Sequence, residues 1–321
     1  VCPWRMHCRR MIYRRFRNPA AAADTEEILQ PASLNVKYLK VSSRGVNKET
    51  RTLVTIIGVF AIIIIGGYGA LVVYTGFSLP FSSVVSESMQ HDNERSEIGV
   101  IDTGDIVIVA DPSKQDIVSY VKGTVTGKKT FGDYGSVIIY NRDSNQNPVI
   151  HRAIVWLDYN ESTGKWSSSD LAGYKNWDCI TDGREGYQDY TNLKGILRIQ
   201  VNEKTVEIVL DTLGKNSGFL TMGDNPVTNR YLDQANGIIN HPIAMDDIRS
   251  VPILEIPWMG IIKLIMNGNT HVSHVPNSLP SLIMEIVLVF SFLILIDAFA
   301  VYRFVSNTEK NVSKCREWKK E

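Results

Sequence analysis

Residues 84–89 read Val84-Val85-Ser86-Glu87-Ser88-Met89, and they follow a long apolar run that ends near Thr75. If that run is a helix buried in a bilayer, a chain that advances at most about 3.3 Å per residue keeps Ser88 near the membrane surface. Two serines lie two positions apart here, beside two β-branched residues. Ser88 is therefore a candidate reactive residue, and the other segments are considered for the anchor, base and carboxylate that it would need.

Two apolar segments are long enough to cross a bilayer as helices. Leu53–Val73 carries no charged residue, and Leu282–Tyr302 carries Glu285 and Asp297. About 20 apolar residues span the hydrocarbon core, so each segment suits one crossing. The first segment begins far from the N-terminus, which favours a permanent anchor over a cleavable secretory signal. Asp297 either reaches the inner membrane face or marks a contact with another subunit.

Charge is segregated along this chain of 321 residues, which has 34 basic and 34 acidic side chains. Residues 1–52 hold eleven Lys or Arg against four Asp or Glu, and residues 303–321 hold six against three. The segment between them is acidic. Basic ends outside two apolar spans follow the positive-inside rule, which predicts cytoplasmic tails and an extracytoplasmic middle. A nucleic-acid partner is not expected, because the folded part is acidic.

These patterns predict five parts along the chain. They are a basic cytoplasmic tail (1–52), a first transmembrane helix (53–75), an extracytoplasmic β-rich domain (76–280), a second transmembrane helix (281–303) and a basic cytoplasmic tail (304–321).

The middle part has β character after Pro80. Alternating or β-branched runs predict strands at Ser82–Val85, Gly104–Val109, Ser136–Tyr140 and Val149–Trp156. Two further runs, Gly195–Val201 and Thr205–Leu210, predict a hairpin. Lys165–Gly195 is expected to be mostly loop. Short strands at irregular spacing favour a mainly β fold, a small barrel or sandwich, over a βαβ layout. Ile253–Met266 is too short and interrupted to span, so we expect it at the membrane interface or against the domain core.

The four cysteines define neither a disulfide framework nor a metal site. Only Cys179 falls in the predicted extracytoplasmic part, so it has no intrachain partner there. Cys2 and Cys8 lack the ligand pattern of a zinc site. We expect no metal and no cofactor.

Ser88 is the candidate nucleophile, and its hydroxyl requires a base to take its proton. His151 opens a predicted strand, which would hold its ring stiffly enough to stay within hydrogen-bond reach of a partner. The other histidines lie in polar or charged segments or on the predicted cytoplasmic side: His7, His91, His241, His271 and His274. A lysine base would have to be desolvated, and the polar pair Lys128-Lys129 offers no such setting.

A carboxylate on the second ring nitrogen would fix the tautomer of His151. Asp224, in the turn Gly223-Asp224-Asn225-Pro226, or Asp233 could supply it. The Ser88 backbone N–H and the Ser86 hydroxyl would form an oxyanion hole. Each residue also has an ordinary structural explanation, since Gly-Asp-Asn-Pro is by default a turn that bonds its own backbone. Composition and spacing alone indicate a membrane-anchored β-domain with a candidate serine–histidine set.

Four motifs occur in the order of the boxes of type I signal peptidases, which this chain resembles over residues 80–260. They are Ser86-Glu87-Ser88-Met89, Gly104-Asp105-Ile106-Val107, Val149-Ile150-His151-Arg152 and Gly223-Asp224-Asn225. A histidine where bacterial members carry lysine makes the chain similar to the archaeal and endoplasmic-reticulum branch. The resemblance implies a β-rich body of coiled sheets.

The resemblance also implies roles for individual residues. Ser88 would be the nucleophile, His151 the general base and Ser86 part of the oxyanion hole. Asp224 and Asp233 would be the acidic residues, with Asp233 favoured as the partner of His151. The chain departs from the family pattern at three points: Glu87 replaces a glycine, His91 stands where proline is common, and the two aspartates are further apart than usual, with Arg230 nearer the usual spacing.

The expected function is that of a membrane-bound serine endopeptidase, in the plasma membrane, that removes N-terminal signal peptides from exported preproteins. The substrate would add as a strand along Ser82–Val85, and pockets near Val84, Val85 and Ile108 would admit small side chains. Expected partners are signal-peptide-bearing preproteins, the lipid bilayer and secretion-machinery subunits. Two alternatives stay open: a peptidase of the same design with a narrower client, such as a pilin-like precursor or a cell-surface protein, and a catalytically silent membrane-anchored assembly or binding subunit.

Overall fold

The computed structural model describes residues 48–142, 147–266 and 278–317. These residues form four α-helices: α1 (Lys48–Thr75), α2 (Tyr120–Thr126), α3 (Gly260–Met266) and α4 (Ser278–Glu317). They also form thirteen strands: β1 (Phe81–Ser83), β2 (Ile106–Ala110), β3 (Lys129–Thr130), β4 (Asp133–Tyr134), β5 (Val137–Tyr140), β6 (Val149–Asn160), β7 (Lys165–Ser167), β8 (Trp177–Thr181), β9 (Arg184–Tyr187), β10 (Ile196–Val201), β11 (Lys204–Val209), β12 (Gly218–Met222) and β13 (Ile248–Ile256).

Two helices, α1 and α4, are long and apolar enough to cross a membrane. Their apolar spans, Thr50–Thr75 and Ser278–Arg303, each contain 26 residues. At 1.5 Å per residue each span covers about 39 Å, more than the roughly 30 Å hydrocarbon core of a bilayer. Residues 1–47 and 318–321, which include most of the predicted N-terminal tail, lie outside the described residues.

Eleven of the thirteen strands form one large sheet and one small sheet, and β3 and β4 pair as a separate two-stranded sheet. The large sheet has seven strands in the order β1-β2-β13-β5-β6-β12, with β7 paired to β6, and the small sheet has the order β11-β10-β8-β9. Every pairing in them is antiparallel. Leu157 and Leu220 of the large sheet belong to the same buried cluster as Leu197 and Ile199 of the small sheet. The prediction of a β-rich domain between two long apolar helices is confirmed.

The prediction of a mostly loop segment at Lys165–Gly195 is wrong. This segment contains β7, β8 and β9, and β8 pairs with β10 of the predicted hairpin. Trp177 and Cys179 are buried while Asp178 between them is partly exposed, so a two-residue alternation is present. The strands are short and separated by polar turns, which conceals this alternation in the sequence.

The end of α1 is bound directly to the sheet. The carbonyl of Thr75 accepts the Asp111 backbone N–H at 2.8 Å, and the carbonyl of Val73 accepts the Lys114 ammonium at 2.7 Å. A cation at the C-terminal end of a helix also interacts favourably with the helix dipole. The chain then enters β1, which pairs with β2 from Phe81↔Ile108 to Ser83↔Ile106. The candidate serine loop therefore begins close to the end of a helix that could cross the membrane.

Three buried carboxyl groups lie together where the start of β2 meets the end of β13. Asp105 accepts the backbone N–H groups of Asp102 at 2.7 Å and Trp258 at 2.8 Å, and Glu255 accepts the N–H of Gly99. The exposed fractions are 1% for Asp102, 1% for Asp105 and 9% for Glu255. Burial raises the pKa of Asp102 and of Glu255 to about 7, and that of Asp105 to about 6.

Because these carboxyl groups are buried, we expect the free energy of unfolding to fall as the pH rises. The folded protein holds their protons more tightly than the unfolded chain, whose Asp and Glu titrate near 4. Their contribution is therefore complete below about pH 4 and lost as the pH rises to about 7. We expect Asp102→Asn to flatten this dependence in the full-length protein in detergent, measured as the urea midpoint against pH. Glu161→Gln, at an exposed turn, is the control, and a wild-type midpoint that stays constant from pH 4 to 7 would contradict the prediction.

Candidate active site

The main chain of Ser88 is fixed by the segment that contains Gly223-Asp224-Asn225. Its carbonyl accepts the Asn225 backbone N–H at 2.9 Å and the Asn229 side-chain amide at 2.8 Å. The Asn225 side-chain amide donates to the carbonyl of Glu87 at 2.8 Å. The Asn225 side-chain oxygen meanwhile accepts two N–H groups of its own turn. The Gly-Asp-Asn turn thus bonds both itself and the serine loop.

Gly223 is required by the close approach of these two segments. A Cβ atom at this position would lie 2.5 Å from the Ser88 carbonyl oxygen and 2.5 Å from the Asn229 side-chain nitrogen. Both distances are far below van der Waals contact, and one of the two atoms belongs to the backbone. Only glycine therefore leaves room for the two amides to reach the Ser88 carbonyl.

The hydroxyl groups of Ser86 and Ser88 lie side by side at the surface of the loop. Their oxygen atoms are 3.2 Å apart, and the side chain of Ser88 is partly exposed. Within the described residues, the backbone N–H of Ser88 donates to no other group. This N–H and the Ser86 hydroxyl are available to donate to an oxyanion next to Ser88.

His151 and Asp233 form a buried pair. The two carboxylate oxygens of Asp233 lie 2.8 and 2.7 Å from His151 Nδ1, and the exposed fractions are 3% for His151 and 1% for Asp233. Burial alone would raise the pKa of the Asp233 carboxyl, but His151 and the hydroxyl groups that donate to Asp233 hold it below its usual range. An ionised Asp233 accepts Nδ1–H, which leaves the Nε2 lone pair of His151 for a proton.

Tyr140 is a third member of this buried group that the sequence did not indicate. Its hydroxyl donates to Asp233 Oδ2 at 2.7 Å and accepts from the Thr221 hydroxyl at 3.4 Å. Burial and the charge of Asp233 raise the pKa of Tyr140, so the phenol remains a donor. Tyr140 pairs with Val149 across β5 and β6, two residues from His151, and so lies on the same face of the sheet. This placement depends on strand register, which no local pattern reveals.

Asp224 does not contact His151, although it was predicted as a candidate partner. It accepts the Arg152 guanidinium at two oxygens, with Nε–Oδ1 at 2.8 Å, and lies 3.5 Å from His91 Nε2. Burial would raise the pKa of Asp224, but the charge of Arg152 lowers it below the usual range. Successive residues of a strand face opposite ways, so Arg152 carries its carboxylate to the other side of β6 from His151. The structure thus separates the two aspartates.

A cleft of about 860 Å³ brings Ser88 and His151 to one surface. It is lined by the serine loop on one side and by Pro148–His151 on the other. No hydrogen bond joins the Ser88 hydroxyl to the His151 ring in the part of the chain that the structure describes. Such bonds are often long before a substrate binds and shorten only in the complex. No lysine among the described residues lines this cleft, and Lys128 instead bonds the carboxylate of Asp116 at 3.1 Å.

The predicted pocket residues are only partly placed at this cleft. Val84 and Val85 line it, but Ile108 does not, and Val109 and Ile139 line it instead. Val109 faces the inner cluster that includes Val84, whereas alternation along β2 turns Ile108 to the opposite face. The prediction of Ile108 as a pocket residue is wrong for this reason, since the sequence does not reveal which face of β2 is inward.

No known protein family matches the chain, and no curated protein matches its sequence. The geometry of the cleft is therefore the ground on which a function can be assigned.

Replacing Tyr140 with phenylalanine should destabilise the protein, because Asp233 loses one donor while it stays buried and ionised. We expect a loss of about 1–3 kcal/mol in the free energy of unfolding, the typical cost of an unmet hydrogen bond to a buried charge. Denaturant unfolding at pH 7 measures it. Tyr190→Phe, at an exposed position, is the matched control. Equal stability of the two variants would show that the Tyr140–Asp233 bond contributes nothing.

Proposed function

We propose that this chain is a membrane-bound serine endopeptidase that removes N-terminal signal peptides from exported preproteins. The observation that carries the proposal is the buried His151–Asp233 pair, whose histidine lines the same cleft as Ser88, just beyond a helix that could cross the membrane. A rigid histidine–carboxylate pair beside a partly exposed serine is the arrangement that activates a hydroxyl for acyl transfer.

The chemistry uses one proton path. His151 Nε2 takes the proton of the Ser88 hydroxyl as Ser88 Oγ attacks the scissile carbonyl, and Asp233 stabilises the imidazolium that forms. The Ser88 N–H and the Ser86 hydroxyl donate to the carbonyl oxygen as it becomes negative. His151 then gives its proton to the leaving amine, which breaks the peptide bond. Water, activated by the same histidine, releases the acyl group from Ser88.

The substrate binds as an extended strand along β1. Among the described residues β1 pairs with β2 alone, so its other edge has free backbone groups that face the cleft. An extended peptide can add to such an edge through main-chain hydrogen bonds. The apolar wall of Val84, Val109 and Ile139 leaves room for small side chains next to the cut. It would exclude bulky ones.

The surroundings of the cleft favour a position at the bilayer surface. Several apolar side chains of this region are exposed, which is typical of a surface that contacts lipid: Leu79, Phe81, Leu254, Ile262 and Met266. Ile261 and Leu264 of α3 are buried on its opposite side, which agrees with both placements expected for Ile253–Met266. Basic tails would keep both chain ends in the cytoplasm and the cleft outside, as proposed for a plasma-membrane enzyme.

Loss of either reacting side chain should abolish cleavage. We expect Ser88→Ala and His151→Ala, purified as full-length protein in detergent, to cut a signal-bearing preprotein at least about a thousandfold more slowly, with unchanged substrate affinity. Gel analysis of the precursor and the mature product measures the rate. Ser162→Ala, in an exposed turn, is the matched control. Cleavage by Ser88→Ala at the wild-type rate would exclude the proposal.

The residue just before the cut should decide whether a preprotein is accepted. Because Val84, Val109 and Ile139 close the wall of the cleft, we expect precursors with alanine or glycine at that position to be cleaved and those with leucine or phenylalanine to resist. A panel of unrelated preproteins, each in both forms, measures this. If only one class of precursor is cut despite a small residue, the narrower client, such as a pilin-like precursor, is the better assignment.

One observation favours a different class of function. The Ser88 hydroxyl bonds the Ser86 hydroxyl and not the His151 ring. A catalytically silent assembly or binding subunit would show this same bond. A serine-directed acylating probe separates the two functions. Labelling of Ser88 in the wild type, and its loss in His151→Ala, identifies an activated hydroxyl, whereas equal and negligible labelling of both identifies the silent subunit.

A further inference from the structure

The turn of the β10–β11 hairpin contacts the segment that follows Asn225, which in turn bonds the serine loop. Val201 and Lys204 are paired at the hairpin end, and Asn202 in the turn has a φ of 54°. Asparagine adopts this left-handed conformation more readily than most residues. The hairpin tip, Asn202–Lys204, is therefore a tight turn that leads directly into β11 at Lys204.

Lys204 bonds two carbonyl groups of the segment that follows Asn225. Its ammonium donates to the carbonyl of Pro226 at 2.6 Å and to that of Asn229 at 3.2 Å. In the described part of the chain, no carboxylate lies within ion-pair distance of Lys204. Burial and the nearby charge of Arg230 lower the pKa of Lys204. The ammonium is thus held in place by backbone carbonyls alone.

The bonded segment continues directly to Ser88. Asn229, whose carbonyl accepts Lys204, donates its own side-chain amide to the Ser88 carbonyl at 2.8 Å. Its backbone N–H bonds the carbonyl of Asn225, and Asn225 in turn donates to Ser88. Asn229 also lines the cleft. A shift of the Pro226–Asn229 segment would therefore move the nucleophile relative to His151.

The same hairpin tip contacts the structure around Arg152. Asn202 donates its side-chain amide to Asp133 at 2.6 Å and shares two hydrogen bonds with the hydroxyl of Tyr120. Asp133 belongs to the β3–β4 hairpin, whose Tyr134 carbonyl accepts the Arg152 guanidinium at 3.1 Å. One tip thus contacts the segment that holds Ser88 and the hairpin that holds the residue after His151.

We propose that the β10–β11 hairpin tip positions Ser88 against His151, with Lys204 as the positioning residue, and that this is the role of the small sheet. A hydrogen bond from a charged donor to two carbonyls fixes a loop that has no regular structure of its own. The kinetic part of this inference rests on the proposed peptidase function. The structural part, that Lys204 holds the Ser88 segment, does not.

Two measurements on the full-length protein in detergent test the inference. Hydrogen–deuterium exchange followed by mass spectrometry reports on residues 86–90 and 224–231, and preprotein cleavage gives kcat and KM. The variants are Lys204→Met, which keeps the length of the side chain without its donors, and Lys204→Arg, which restores a charged donor. Lys175→Met, at an exposed position shortly before β8 of the small sheet, is the control.

For Lys204→Met we expect exchange about tenfold faster in residues 86–90 and 224–231 than in the wild type, with β5 and β6 unchanged, and kcat about tenfold lower at constant KM. Lys204→Arg and Lys175→Met should behave as the wild type. Unchanged exchange in both segments would overturn the inference, and so would a uniform increase over the whole domain, which marks Lys204 as merely structural. If the wild type cleaves no preprotein, the proposed function fails while the exchange result still decides the role of Lys204.

Discussion

The carbonyl of Ser88 is the group on which the arrangement of the site depends. It accepts two N–H donors from a segment far along the chain, and Asn225 of that segment also donates to the neighbouring carbonyl of Glu87. Gly223 lies against the same carbonyl and admits no side chain there. On its other side the loop is continuous with β1 and, through Thr75, with the end of α1. The position of Ser88 is thus set both by its short connection to α1 and by its hydrogen bonds to the β-domain.

Two adjacent residues of β6 each bind a different buried carboxylate. His151 meets Asp233 on the cleft side, and Arg152 meets Asp224 on the other side. The first pair can move a proton, because a neutral imidazole whose Nδ1–H is donated to a carboxylate can accept a proton at Nε2 and release it again. The second pair cannot, since a guanidinium stays charged, and removing one partner of such a buried pair commonly costs about 3–5 kcal/mol. Asp224 is therefore held in its ion pair with Arg152, apart from His151.

Local sequence patterns predicted the long elements well. The apolar runs located α1 and α4, and β-branched runs located β2, β5, β6 and the β10–β11 hairpin within a few residues. Properties set by strand register were beyond reach. Tyr140 lies beside His151 because β5 pairs with β6, and Ile108 turns away from the cleft because its neighbour Val109 faces the inner cluster. The residues alone left the choice between Asp224 and Asp233 open, and only the family resemblance favoured Asp233. Asp224 directly follows β12, whereas Asp233 comes later, and the three-dimensional path of the chain brings Asp233 to His151.

The order of these groups along the chain has a consequence for biosynthesis. Asn229 lies 141 residues after Ser88, and Asp233 lies 82 residues after His151. A polypeptide made from its N-terminus therefore exposes its serine long before the ribosome has produced the donors that fix it. Contacts this distant also form late in folding, since a large loop must close first. While it is still being translated, the nascent chain consequently lacks the groups that fix Ser88 and pair with His151.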